Sequence, residues 1–240
     1  MKKVFVRTQN VKNFISLMNS IQNKPEGVPR MALVYGEPGL GKSRTALWLA
    51  SQQNAILIRC ANLMTPKWFL EELASELDEI PKFLTADLFR QCVESLNEKP
   101  RMIIVDEVDY LLRESKTIET LRDLHDKADI PIIMVGMNLA QRKISRYKHI
   151  QDRITEVIKF NVFMLSDVQE IVQQLSEIEF SKEAVALMHT NANRFRQIVK
   201  FITKSEILAK TNNLKLIDEN ILMELIKNEQ KHDFNLSKGA

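Results

Sequence analysis

The chain has 240 residues, 45% of them hydrophobic and 27% charged, with a formal net charge of +3. That composition excludes a disordered tail. It also excludes a membrane-spanning chain, since no window approaches eighteen uninterrupted apolar residues, and the mild positive charge permits nucleic-acid binding without requiring it. The two cysteines, Cys60 and Cys92, lack metal-ligand spacing and read as buried, reduced thiols of a cytosolic protein.

Residues 8–23 place Val11, Phe14, Ile15, Met18 and Ile21 near helical spacing. The segment NKPEGVP, Asn23 to Pro29, breaks that helix. The apolar run Met31 to Tyr35 predicts a first buried strand. GEPGLGKS, Gly36 to Ser43, follows it, and then a helical pattern with Ala46, Leu47, Leu49 and Ala50 on one face. Ala55 to Cys60 predicts a second strand. Pro66 to Leu77 predicts a helix with Thr65 as its N-cap, and Ala86 to Leu96 another. Met102 to Val105 is a continuous apolar run ending in Asp106 and Glu107, the pattern of a buried parallel strand with acids at its carboxyl end. Thr117 to Ala128 reads as a helix, Ile130 to Val135 as a strand ending at Gly136-Met137-Asn138, and Val157 to Phe163 as the last strand. From Ser166 onward only helices are expected, at Ser166–Ile178, Ser181–His189, Arg194–Lys210 and Asp218–Lys227. The polar tail, Asn228 to Ala240, is expected to fray. The N-terminus has no apolar stretch long enough for a signal peptide.

Strands alternating with helices predict a parallel sheet covered on both faces, with ligands at the carboxyl ends of the strands. The expected division is an α/β core over residues 1–165, a small all-helical lid over 166–227 and a flexible tail over 228–240.

GEPGLGKS matches G-x-x-x-x-G-K-[ST] without deviation and has the required context of strand, turn and helix. Phosphates crowd negative charge into a small volume. Backbone N–H groups surround it only where no Cβ intrudes, hence Gly36, Gly39 and Gly41. The positive end of the next helix faces the same phosphates, with Lys42 reaching the β/γ-phosphates and the Ser43 hydroxyl ligating Mg²⁺. Asp106, too costly to bury unpaired, helps hold Mg²⁺, and Glu107 polarises water for attack on the γ-phosphate. Asn138 orients that water through its amide or caps a helix from Leu139. Asp109 reads as a solvated acid at a helix start. The four histidines share no ligand spacing.

GEPGLGKS, IIVDE and VGMN, in that order and ahead of a helical stretch, resemble an AAA+ ATPase over about Thr8 to Lys227. The expected fold is therefore the α/β P-loop NTPase core of that superfamily with a helical lid. Within it, the chain is most similar to the DNA-transposition ATPases, the group of phage Mu B protein, TniB and TnsC. NLMTPKWFLEELASEL resembles that group's segment after the second strand, and NRFRQIVKFITKSEILAK resembles its G-N-x-R-x-hydrophobic lid helix. The chain starts almost directly at the ATPase core, whereas the Mu protein carries a further N-terminal DNA-binding domain.

The resemblance implies ATP hydrolysis with Mg²⁺, with Glu37, Pro38, Leu40 and Arg44 completing the nucleotide loop. It implies an arginine finger for a neighbouring subunit. The matching phrase HIQDRITEVIKF places it at Arg153, with Arg146 as rival. It places the second sensor arginine at Arg196, with Arg194 on the opposite side of the helix as a poorer candidate. Lys67, and Arg146 in the basic stretch RKISRYKH, are the candidate DNA contacts. The implied partners are double-stranded DNA without sequence preference, further copies of the chain in a ring or helical filament, and a transposase. No membrane is expected to be involved, and the expected setting is the cytoplasm, the protein being prokaryotic or phage-encoded. Two other functions share these motifs: a replication-initiator or helicase-loader ATPase, and a nucleotide switch that does not bind DNA.

Overall fold

A computed structural model describes residues 1–25, 27–113 and 115–238, and the side chains of these except 115 and 229–238. The chain forms two compact units. One comprises residues 11–38 and 42–160; the other comprises residues 1–10, 39–41 and the chain from Asn161 onward.

The first unit is an α/β layer structure. In chain order it holds α1 (Gln9–Gln22), β1 (Met31–Gly36), α2 (Lys42–Gln53), β2 (Ile56–Arg59), α3 (Pro66–Glu76), α4 (Thr85–Glu98) and β3 (Ile103–Asp106). A 3₁₀ turn at Leu111–Arg113 leads to α5 (Ser115–Ala128), β4 (Ile132–Gly136), α6 (Asn138–Ile144), α7 (Lys148–Gln151) and β5 (Ile154–Phe160). The strands form one sheet in the order β2-β3-β4-β1-β5, and every neighbouring pair is parallel. Parallel pairs need crossovers, so helices cover the faces and the inner strands become apolar throughout. Every residue of β3 and β4 is buried, as are Met31 to Val34 of β1.

β5 lies at the sheet edge and alternates half-buried with exposed residues along ITEVIKF. Its polar positions hide its first half from a search for apolar runs, so it begins at Ile154 rather than Val157. Thr65 caps α3 as expected, accepting from the Trp68 N–H at 3.2 Å, with Pro66 in the first turn. Trp68 is not a core residue: it is 37% exposed and its indole N–H donates to Glu72 at 3.0 Å. Leu47 likewise leaves the buried face of α2, which consists of Lys42, Thr45, Ala46, Leu49 and Ala50.

Both cysteines are buried, and Cys92 Sγ donates to the Leu70 carbonyl at 3.6 Å. Burial, with Glu79 adding to it, pushes the Cys92 thiol up to about 12, and burial pushes Cys60 further. Since the thiolate is the nucleophile, neither is expected to react with a thiol reagent at pH 8 in the folded protein. Both should label after unfolding, and labelling followed by mass spectrometry checks this.

The second unit holds α8 (Leu165–Leu175), β6 (Glu179–Phe180), α9 (Lys182–Asn191), α10 (Phe195–Asn212), β7 (Leu216–Ile217) and α11 (Glu219–Lys238). The strands do not stop at Ser166, because β6 and β7 pair in parallel. Two-residue strands are too short to leave a periodic signal. The helix from Glu219 continues to Lys238, past the expected start of fraying, since each further residue adds one hydrogen bond once a helix is under way.

The first ten residues, counted with the core on sequence grounds, pack in this unit instead. Val6 joins a cluster with Phe163, Val168, Ile171 and Leu175. The Lys2 N–H donates to the Leu175 carbonyl at 2.8 Å, and the Gln9 N–H to Asp167 at 2.8 Å. Asn10 exchanges two hydrogen bonds with the backbone of Asn161, at 2.8 and 3.0 Å.

Candidate nucleotide-binding site

β1 runs between β4 and β5, so the turn leaving its carboxyl end is held from both sides. Gly36 pairs in register with Phe160. A Cβ on Gly36 would stand 2.7 Å from the Phe160 carbonyl oxygen, a backbone atom that cannot swing away. Gly36→Ala is therefore expected to destabilise the protein by about 1–3 kcal/mol, the usual range for overpacking, readable as a lower urea midpoint. Gly39 (φ +84°) and Gly41 (φ +93°) adopt left-handed conformations that strain other residues. α2 begins directly after them, so its positive end opens at the same loop.

Lys42 is buried and folds back on the loop, its Nζ donating to the carbonyls of Gly36 and Glu37, each at 2.8 Å. Burial pulls the ammonium below its ordinary value, while Glu107, Asp106 and Asp109 pull the other way. The Ser43 hydroxyl donates to Asp106 Oδ1 at 3.2 Å, so the two residues expected to share Mg²⁺ are neighbours although 63 positions apart in sequence. These are two hard oxygen donors side by side, one of them a buried carboxylate, and they fit Mg²⁺. Among the described residues no group of three or more His, Cys, Asp or Glu could hold a metal alone. The remaining positions around a Mg²⁺ ion would then fall to phosphate and water.

Asp106 has a partner that sequence reasoning missed. Arg59 is its register partner on β2 and donates Nε and a terminal nitrogen to Oδ2, at 3.3 and 3.2 Å. Sequence spacing gives no signal for it, because the pair depends on β2 lying beside β3 in the sheet. Glu107 takes a left-handed conformation (φ +58°), strained for a residue with a Cβ, and its N–H donates to Asp106 Oδ1 at 3.0 Å. Burial, then the charges of Asp106 and Asp109, raise its carboxyl above the ordinary range, opposed by Arg59 and Lys42.

Two expectations near β4 need correction. Asn138 is not an N-cap: Met137 is, in extended conformation, and Asn138 is the exposed first residue of α6. Asp109 is not a solvated acid at a helix start. It lies in the turn after β3, half-buried, and its Oδ2 accepts the Met137 N–H at 2.6 Å.

In the second unit, the side chain packed on Gly39 belongs to Arg194. A Cβ on Gly39 would lie 3.5 Å from the Cβ and Cδ of Arg194, in ordinary van der Waals contact. Arg194 is the N-cap of α10, which turns it off the helical wheel, and Arg196 is exposed one turn-step on. Of the other loop residues, Leu40 is buried, Glu37 is half-buried, and Pro38 and Arg44 are exposed.

The other candidates, Arg153, Arg146 and Lys67, lie elsewhere in the α/β unit. Arg153 directly precedes β5, at the amino end of the sheet, and donates to both oxygens of Asp126 on α5 at 2.9 and 3.2 Å. Asp126 also accepts from Arg122 at 3.1 Å and meets His125 Nδ1 at 2.9 Å. The Arg30 N–H donates to His125 Nε2, so the Nδ1 proton points at Asp126. Arg146 is exposed and makes no ion pair among the described residues. Lys67, at the start of α3, lies 3.7 Å from Glu71 and 4.5 Å from the centroid of the Phe83 ring.

Burial alone would raise the Asp126 carboxyl, but hydrogen bonds from Arg153 and His125 outweigh it and hold it at about 2, against 3.8 for a free group. The sign follows from the depressed value. The stabilisation is complete above about pH 4 and is lost as pH falls through about 2. It is on the order of 1–2 kcal/mol. Unfolding midpoints of the wild type and Asp126→Asn should differ at pH 6 and converge over that window.

Known proteins share the fold that carries these residues. Residues 26–144 match the family described as the AAA domain. The whole fold resembles ORC2 of Aeropyrum pernix, solved as ADPNP-ADP complexes, with a TM-score of 0.72 at 14% identity over 95% of this chain and 70% of that one. It resembles ORC1 of the same organism in complex with DNA, with a TM-score of 0.65 at 13% identity over 97% of this chain and 67% of that one. A RuvB variant of Thermotoga maritima gives a TM-score of 0.64 at 16% identity over 93% and 70%. At such identities the likeness concerns the fold: a P-loop AAA+ fold with its helical C-terminal portion. Among the described residues no helix is long and apolar enough to cross a membrane.

Proposed function

We propose that this chain, whose residues 26–144 match the AAA domain family, binds ATP with Mg²⁺, hydrolyses it, and uses the cycle to assemble on DNA. The observation that carries the reading is the meeting of Lys42, Ser43 and Asp106 at the carboxyl ends of β1 and β3. Lys42 holds its ammonium on loop carbonyls and can turn it to the phosphates, which restore the counter-charge that burial removes. Ser43 and Asp106 would hold Mg²⁺, which neutralises charge on the β- and γ-phosphates. Glu107 takes the proton of the attacking water, a role its raised pKa suits, since a stronger base removes a proton more readily. Asn138 orients that water. In this reading Arg194, supported by its packing on Gly39, is the second sensor rather than Arg196.

Arg153 is the proposed finger for a neighbouring copy, with Arg146 as rival, and Lys67 and Arg146 are the proposed DNA contacts. The finer role we propose is target selection in DNA transposition, in which the assembled protein recruits or activates a transposase. The phrases NLMTPKWFLEELASEL and NRFRQIVKFITKSEILAK support it. A second reading, a replication-initiator or helicase-loader ATPase, is supported by the likeness to two ORC proteins, one solved with DNA.

Duplex DNA binding measured with and without ATP, across a salt series, tests the proposal. Binding should tighten with ATP and weaken as salt rises, because cationic contacts to phosphates release counterions. Filaments on DNA of any sequence favour the transposition role, and a stable complex with a replicative helicase favours the second reading. The absence of any salt-dependent DNA binding would leave a nucleotide switch that works without DNA.

A further inference from the structure

We propose that Asp109 is a positioning residue for hydrolysis: its carboxylate clamps the turn that carries Glu107 to the start of the segment that carries Asn138. The proposal rests on the reading of Glu107 and Asn138 as the groups that act on the attacking water. Those groups come from different strands, β3 and β4, and their side chains project from the ends of those strands, where ladder hydrogen bonds no longer fix the backbone. Two contacts continue the fixation beyond the ladder. The Val108 N–H donates to the Val135 carbonyl at 3.0 Å, and Asp109 Oδ2 accepts the Met137 N–H at 2.6 Å across 28 residues of sequence.

The second contact is short and charge-assisted, the stronger kind of hydrogen bond. It supplies an acceptor at the N-terminus of α6, where Met137 makes no side-chain cap of its own. The space on its Gly136 side is closed. A Cβ on Gly136 would stand 2.7 Å from Asp109 Oδ2, 2.7 Å from the Ala140 Cβ and 2.9 Å from Val108 Cγ1. The carboxylate therefore lies directly over the Gly136 Cα, and Asn138 begins two residues later. Asp109 also adds its charge to that of Asp106 beside Glu107.

The clamp predicts a loss of turnover without a loss of nucleotide binding, since the Asp109 carboxylate accepts from the Met137 N–H and reaches Lys42 only through its charge. The test measures steady-state ATPase with Mg-ATP and thermal melting for the full chain and for Asp109→Ala, Asp109→Asn, Asn138→Ala and the double variant Asp109→Ala/Asn138→Ala. Asp109→Ala should lower kcat by ~10–100-fold, the scale of a misplacement of about 1 Å, and leave the KM for ATP within about two-fold. Asp109→Asn keeps an acceptor oxygen and should recover most of kcat. The double variant should be no slower than the slower single variant, because both changes disable one arrangement.

Wild-type kcat in Asp109→Ala, or effects that multiply in the double variant, would overturn the clamp. An unchanged kcat with a lowered melting temperature would make Asp109 a helix cap only. If Asp109→Ala does not fold, Asp109→Glu, which moves the carboxylate by one methylene, must still lower kcat without raising KM. Wild-type turnover in Asn138→Ala would sink the reading of Asn138 itself. A slow Asn138→Ala beside a normal Asp109→Ala would sink the clamp alone.

Discussion

Glu107→Gln is expected to bind ATP as tightly as the wild type and to hydrolyse it about 10²–10⁴-fold more slowly, the usual contribution of a positioned base. The substitution keeps the size and the strained backbone of residue 107 (φ +58°) and removes only the proton acceptor. Lys42→Ala should fail earlier, at binding. It deletes the buried ammonium that sits on the carbonyls of Gly36 and Glu37. Calorimetric titration with ATP and a phosphate-release assay separate the two variants. Unchanged affinity in Lys42→Ala would overturn the phosphate-loop reading, and wild-type turnover in Glu107→Gln would remove Glu107 as the base.

The second large effect is expected from Arg153→Ala. A finger supplied by a neighbour contributes about 10³–10⁵ in rate. Wild-type ATPase per subunit should therefore rise with protein concentration and with added DNA, and the variant should lack that rise. Lys42→Ala subunits, which lack a working pocket, carry an intact Arg153. Arg153→Ala subunits carry the intact pocket. A mixture should exceed either variant alone, because some interfaces then pair the two intact halves.

The structure adds a condition to this experiment. Arg153 is already held by both oxygens of Asp126, so engaging a neighbour's phosphate must offset the loss or sharing of that pair. Arg146 carries no such commitment among the described residues, and it is the residue to test next if sedimentation shows mixed assemblies without rescue. ATP and DNA must also tighten each other's binding by the same factor if both favour the assembled state.

The phosphate loop and its two acids are legible in sequence because their chemistry depends on local spacing. Glycine takes the left-handed conformations of the loop with least strain, and an apolar run ending in acids marks a strand end whichever strands lie beside it. The buried strands β1, β3 and β4 are legible for a related reason: a parallel strand covered on both faces needs apolar residues at every position. β5, at the edge, is half hidden by its own solvent-facing residues.

What only the tertiary structure decided is pairing between segments distant in the chain. No spacing rule joins Arg59 to Asp106, Asp109 to the Met137 N–H or Arg153 to Asp126, because each bond depends on strand order and on where a turn ends. Arg194 shows the same limit. Counting helical positions sets it opposite Arg196, but the helix begins after Arg194, so its extended backbone follows no helical wheel. The first ten residues likewise join the helical unit through Val6 and Asn10, since the burial of one valine and a pair of amide hydrogen bonds leave no periodic trace in sequence.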